Sequence, residues 1–187
     1  MAIIGVDVDL TVVRSDLGWF DWCNSISKHQ HTLETFSEKG ELVPYNFESL
    51  YPDLSSEEIM HYWRRRDLYD NLSPIEGSQN ALCELSQEHK IVFVSTLKGD
   101  HHKSKYQFLE RNFPFLSGFI GTKEKEFARI DMLIDDRISV LNRLVCTDII
   151  PVQFKTPYSQ AEQAPFQYTS VIDGWNDTSV SLIKSLI

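Results

Sequence analysis

The chain has 187 residues and a mass of 21.7 kDa, enough for one well-buried core, or for a core with a small accessory module. Hydrophobic residues make up 42% and charged residues 24%, the balance of an ordinary globular protein. A formal charge of −9 argues against a long nucleic-acid groove, which needs clustered cations, but permits a small phosphorylated substrate whose charge a divalent metal offsets.

Cys23, Cys83 and Cys146 lie far apart with no metal-ligand spacing, which reads as free thiols in a reducing compartment. The opening MAIIGVDVDL is apolar but lacks a basic leader region, so it reads as a core strand rather than a signal peptide. No apolar run reaches the length of a membrane span. The glycosylation-type triplets at Asn71 and Asn176 therefore carry little weight, and the expected location is cytoplasmic. The oligomeric state is left open, a homodimer among the options.

In chain order, Ala2 to Val8 is an apolar run that suits a buried parallel strand. Residues from about Val13 to Ser73 then contain no convincing strand. They hold aromatic-rich helical patterns at Leu17 to Ser27, Thr32 to Lys39 and Ser55 to Asp70, with Ser55-Ser56-Glu57-Glu58 as a helix start. Pro74 and Gly77 mark the return to the sheet. Ala81, Leu82 and Leu85 lie on one helical face ahead of a second strand at Ile91 to Val94, and Tyr106, Leu109 and Phe113 recur at helical spacing after it. Met132 to Ile134 is a third strand, followed by Ile138, Leu141 and Leu144 on a helix. A fourth candidate lies within Asp148 to Phe154, where Pro151 suits only an edge. A last helix covers Asp177 to Ile187. Alternating strands and helices predict an α/β fold with an open, Rossmann-like parallel sheet. The core domain spans 1–13 and 74–187, and a small helical domain (14–73) is inserted after the first strand.

Ligands of open α/β sheets bind beyond the carboxyl ends of the strands. Those ends carry Asp7, Asp9 and Thr11, then Ser95 and Thr96, then Asp135 and Asp136, with Lys125 in between. Taken singly, each has an ordinary explanation: a turn, a loop start, a helix cap, a solvated lysine in KEKE. Their order after successive apolar runs makes the set specific. Crowded carboxylates need a cation, and oxygen ligands with room for water suit Mg²⁺. Such a metal would neutralise phosphoryl oxygens while a carboxylate attacks phosphorus, with Lys125 and a Ser95 or Thr96 hydroxyl holding the remaining oxygens.

DVDLT at Asp7 to Thr11, VST at Val94 to Thr96, Lys125 and IDD at Ile134 to Asp136 resemble the four motifs of the haloacid dehalogenase-like phosphatases. Within that superfamily, YWRRRDLYDNLSPIEGSQNAL, KEKEFARIDMLIDDR and SVIDGWNDTSVSLI are similar to stretches of the 5′(3′)-deoxyribonucleotidases. The resemblance implies a phosphatase of (deoxy)nucleoside monophosphates with 14–73 as its cap. It makes Asp7 the nucleophile and a metal ligand, and Asp9 the general acid and base with its backbone carbonyl on Mg²⁺. Asp136 becomes a further ligand, Asp135 supports the metal, and Lys125 pairs with phosphate and Asp7. This chain departs from the usual pattern at Leu10, where a glycine is usual, and after Thr96, where the usual proline is absent.

Trp63 matches a substrate-pocket tryptophan of those enzymes, whereas Trp19 and Trp22 suit the insertion's own core. Arg64, Arg65 and Arg66 read as a solvated face, and His101 and His102 as surface histidines. Lys98 and Lys103 are expected near the phosphate site. The rival readings are the same chemistry on a sugar phosphate or a nucleic-acid end, and a silent domain that binds a nucleotide or a partner.

Overall fold

The computed structural model describes residues 1–39, 41–97, 99–159 and 170–187. Its six strands are β1 (Ile3–Val6), β2 (Lys90–Ser95), β3 (Gly118–Gly121), β4 (Met132–Asp135), β5 (Ile150–Phe154) and β6 (Ser170–Ile172). They form one sheet in the order β3-β2-β1-β4-β5-β6 with every pairing parallel. From β1 the chain adds β2 and β3 on one side and then crosses to add β4 on the other. The order therefore reverses between β1 and β4, where open sheets hold their ligands.

A parallel sheet must be covered on both faces, and alternation along each strand divides the cover. Ile4, Val6, Ile91, Phe93, Met132 and Ile134 share one apolar cluster with α4 (Ser78–Leu85), α5 (His102–Asn112) and α7 (Asp177–Leu186). Val94 and Leu133 face the other way, onto α6 (Ile138–Leu141) and the 3-10 turn Asn142–Cys146. The expected strands are all present, trimmed or extended by a residue or two. Two strands were not expected: β3, whose GFIG has glycine at both ends, and the three-residue β6.

Pro151 lies in an interior strand, not at an edge. Ile150 N–H donates to Asp131 O on the β4 side, so the nitrogen of the next residue faces the β6 side, and among the described residues β6 pairs from Val152 onward. Among the described residues the missing donor thus leaves no ladder bond unmade.

After β1 come α1 (Ser15–Ile26), α2 (Leu33–Lys39) and α3 (Ser56–His61), with 3-10 turns at Phe47–Ser49 and Tyr62–Arg64. Ser55 and Glu58 make the reciprocal bonds of a capping box at the start of α3. The helix expected to run to Asp70 stops at His61. At about 100° per residue, Tyr62, Trp63 and Leu68 would face three different directions. Breaking the helix lets all three, with Tyr69, enter the main core. Phe20, Cys23, Phe36, Val43, Phe47, Tyr51 and Ile59 form a second cluster, to which Tyr158 is added from beyond β5.

Gly77, where the chain returns to the sheet, has φ 79°, and a Cβ there would lie 2.0 Å from Trp175 O. Trp175 in turn donates its indole N–H to Thr11 O at 2.7 Å and stacks on Phe154. The C-terminal segment is thereby fastened beneath the turn that carries the site.

Candidate active site

β1 ends at Val6, but Asp7 N–H still donates to Ile134 O at 2.9 Å, so Asp7 stays on the β1–β4 seam. The next residues close a tight turn through Leu10 N–H to Val13 O and Val12 N–H to Val8 O. Leu10 sits within it at φ 63°, the only non-glycine with positive φ among the described residues. That left-handed geometry explains why glycine suits the position.

Asp7, Asp9, Ser95, Thr96, Lys125 and Asp136 line a single cavity of about 220 Å³ at the strand ends, together with Leu10, Trp19, Tyr45, Trp63, His101, Arg137 and Val140. Thr11 is not among them. It is fully buried.

Lys125 Nζ bridges Asp7 Oδ1 at 2.6 Å and Asp135 Oδ2 at 2.7 Å, all three side chains buried. Asp135 also accepts from Arg137 N–H, and Asp136 accepts from the Tyr45 hydroxyl at 2.5 Å. Carboxylate oxygens of Asp7, Asp135 and Asp136 lie within 4.8 Å of one another. Burial pushes the Asp7 carboxyl up to about 6, with Lys125 opposing and Asp135 and Asp9 adding to the rise. Burial, then Asp135 and Asp7, raise Asp136 well above the usual carboxylate range. The Lys125 ammonium is disfavoured by burial but held charged by Asp135 and Asp7. Three buried carboxyl groups therefore crowd together around one ammonium, which Asp7 and Asp135 share. An all-oxygen donor set of this kind fits a hard divalent cation.

Asp9 belongs to a separate group of contacts. Its carboxylate accepts from Lys105 Nζ at 2.8 Å and from the Tyr69 hydroxyl at 2.7 and 3.0 Å. Burial would raise its carboxyl, yet Lys105 and the Tyr69 bond hold it below the usual range. Lys105 also donates to Ser95 Oγ at 2.8 Å, which leaves the serine its own hydrogen to donate.

Three residues central to this geometry were missed from the sequence: Lys105, Tyr69 and Tyr45. Only Lys105 left a signal. It precedes Phe108 and Leu109 by three and four positions, which places a lysine in the buried stripe of α5. His101, expected at the surface, is buried, lies within 2.8 Å of Trp63 O through Nδ1 and borders the cavity. Lys103 is exposed and does not line the cavity, and Lys98 lies outside the described residues. Arg64, Arg65 and Arg66 are exposed as expected, paired with Glu57, Asp67 and Asp100.

Trp63 lines the cavity with its ring edge-on to Trp19 at 5.2 Å. Trp19, expected only as packing, lines it too, stacked on Phe47 at 3.8 Å. Trp22 does not reach it and packs on His61.

The six-stranded parallel sheet and its helices form a fold shared with haloacid dehalogenase-like hydrolases. Solved structures of similar fold include a haloacid dehalogenase-like family hydrolase from Streptococcus pneumoniae (TM-score 0.61, 14% identity, covering 100% of this chain and 99% of that one). Another is the putative HAD-hydrolase YfnB from Bacillus subtilis bound to magnesium (TM-score 0.61, 11% identity, 99% and 97%). The chain belongs to the family described as 5′ nucleotidase, deoxy (Pyrimidine), cytosolic type C protein, whose model matches residues 1–182. It is similar to the 5′(3′)-deoxyribonucleotidase of Bacillus subtilis (strain 168), 26% identical over 161 residues, 84% of this chain and 88% of that protein. The mitochondrial 5′(3′)-deoxyribonucleotidase of Homo sapiens is 27% identical over 139 residues, 71% and 60%. No helix among the described residues is long and apolar enough to cross a membrane.

Proposed function

We propose that this phosphatase is a Mg²⁺-dependent 5′(3′)-deoxyribonucleotidase that cleaves (deoxy)nucleoside monophosphates through an aspartyl-phosphate on Asp7. The observation that carries the reading is the placement of Asp7. Its carboxylate is held by Lys125 at the floor of a cavity whose upper wall includes Trp19, Tyr45 and Trp63 from the insertion.

In this reading Asp7, Asp136 and the Asp9 backbone carbonyl hold Mg²⁺, supported by Asp135. When bound, the cation offsets charge on the phosphoryl oxygens. Lys125 steadies Asp7 and takes one phosphoryl oxygen, and the Ser95 and Thr96 hydroxyls take others. Asp9 protonates the leaving alcohol as Asp7 attacks phosphorus. It then accepts a proton from the water that hydrolyses the acyl phosphate. Residues 14–73 serve as a cap on the core of 1–13 and 74–187, with Trp63 and Trp19 stacking on the base. The free thiols Cys23, Cys83 and Cys146 support a reducing, cytoplasmic setting.

The test is phosphate release across deoxy- and ribonucleoside 5′- and 3′-monophosphates and sugar phosphates, with and without Mg²⁺. Turnover highest on deoxynucleotides and dependent on Mg²⁺ supports the reading. Preference for sugar phosphates, or no turnover of any nucleotide, contradicts it.

A further inference from the structure

We infer that Tyr69 is a positioning residue for Asp9: its hydroxyl fixes the carboxyl group in the orientation that delivers a proton to the leaving oxygen. The inference rests on the phosphatase reading above. Asp9 lies in a turn rather than a strand, and its side chain keeps 22% exposure. Lys105 reaches only Oδ2, which alone leaves the carboxyl plane free to rotate about that contact. The Tyr69 hydroxyl lies 2.7 Å from Oδ1 and 3.0 Å from Oδ2, and so fixes the plane as well.

The tyrosine is itself closely packed. It is fully buried, with its ring edge-on to His101 at 5.4 Å, tilted on Phe108 at 6.2 Å and under the Lys105 ammonium at 4.9 Å. A buried phenol packed against these three neighbours presents its hydroxyl at a defined point. Tyr69 does not line the cavity, so its influence on the reaction passes through Asp9. A buried tyrosine needs some partner for its hydroxyl. Here both contacts go to the carboxylate that protonates the ester oxygen in this reading.

In the step concerned, an Asp7 oxygen forms a bond to phosphorus while the bond from phosphorus to the ester oxygen breaks. The bonding pair leaves on that oxygen, and the Asp9 proton neutralises it. A poor leaving group needs that proton and a good one does not.

The experiment compares phenyl phosphate with 4-nitrophenyl phosphate, esters of similar size whose leaving groups differ in basicity. Tyr69→Phe keeps every ring contact and removes only the hydroxyl. Its kcat should fall about 10- to 100-fold on phenyl phosphate and less than about threefold on 4-nitrophenyl phosphate, since a misplaced general acid loses part of its usual effect. Tyr69→Leu, which also loses the ring, shows what packing loss does to both esters alike. In an Asp9→Asn background, Tyr69→Phe should cause no further selective loss. Equal losses on the two esters in folded Tyr69→Phe, or failure of that variant to fold, would assign the hydroxyl to packing and overturn the inference. A wild-type protein inactive on both esters and on nucleotides would instead overturn the phosphatase reading itself.

Discussion

The Tyr45 hydroxyl donates to Asp136 Oδ2 across 2.5 Å, linking the insertion to the carboxylate that follows β4. Arg137 lies 4.3 Å over the same tyrosine ring, which keeps Tyr45 over the site. A hydrogen bond of this kind orients a metal-binding carboxylate from behind. Tyr45→Phe should therefore weaken Mg²⁺ binding about tenfold, the scale at which such supporting contacts act. Calorimetric titration with Mg²⁺ in the absence of substrate checks it. Unchanged affinity would mean that Tyr45 acts only on the substrate side.

Metal removal should abolish turnover, and Mg²⁺ should restore it better than Ca²⁺, which takes more ligands at longer distances. A second consequence needs no substrate. Asp7 and Asp135 share the Lys125 ammonium, and the Asp136 carboxylate lies within 4.8 Å of both. A cation that binds this folded cluster and not the unfolded chain must raise the melting temperature. Thermal unfolding in chelator and in Mg²⁺ measures this. Identical midpoints at saturating Mg²⁺ would count against a metal at these residues.

Trp63 and Trp22 offer an internal comparison, since only Trp63 lines the cavity. Trp63→Ala should cost about 1–3 kcal/mol in kcat/KM for a nucleoside monophosphate, the range of base–aromatic stacking. A small aryl phosphate, with no base to stack, should lose much less. Trp22→Ala should leave the ratio of the two substrates unchanged. Equal losses on both substrates in folded Trp63→Ala would make that residue packing alone.

Leu10→Gly should be close to neutral for stability, within about 1 kcal/mol. Relief of the left-handed conformation gains about 1–2 kcal/mol. Against it stand the entropy of glycine in the unfolded chain, about 0.5–1 kcal/mol, and the lost contact with the insertion's cluster. Denaturant unfolding of the variant decides it. A loss of about 3 kcal/mol or more, the scale of a core truncation, would show that packing outweighs the backbone geometry here.

The parts of the site legible in the sequence are those attached to strands. Asp7, Ser95 and Asp135 each follow an apolar run that pairs with its neighbour in register, so adjacency in the sheet brings them together. Lys125 is legible only through the resemblance of KEKEFARIDMLIDDR to the family's lysine-to-aspartate spacing, since a lysine in KEKE otherwise reads as solvated. Tyr45 and Tyr69 reach the site across 91 and 60 positions of sequence from irregular segments. No periodicity marks such contacts, because they depend on how the insertion folds back over the sheet. Lys105 was hidden by its type: a lysine on a helix reads as solvated unless its place in the apolar stripe is weighed first. β3 and β6 were missed because short strands with glycine or few apolar residues resemble turns.

Whether Asp7 is the nucleophile is tested most directly by Asp7→Asn. The amide is a far weaker nucleophile, while Lys125 keeps its bridge to Asp135 and one of three crowded carboxylates is removed. The variant should thus melt at or above the wild-type temperature without metal and release no phosphate from any monophosphate that the wild type hydrolyses. Mg²⁺-dependent phosphate release by verified, folded Asp7→Asn at a rate comparable to wild type would contradict the mechanism.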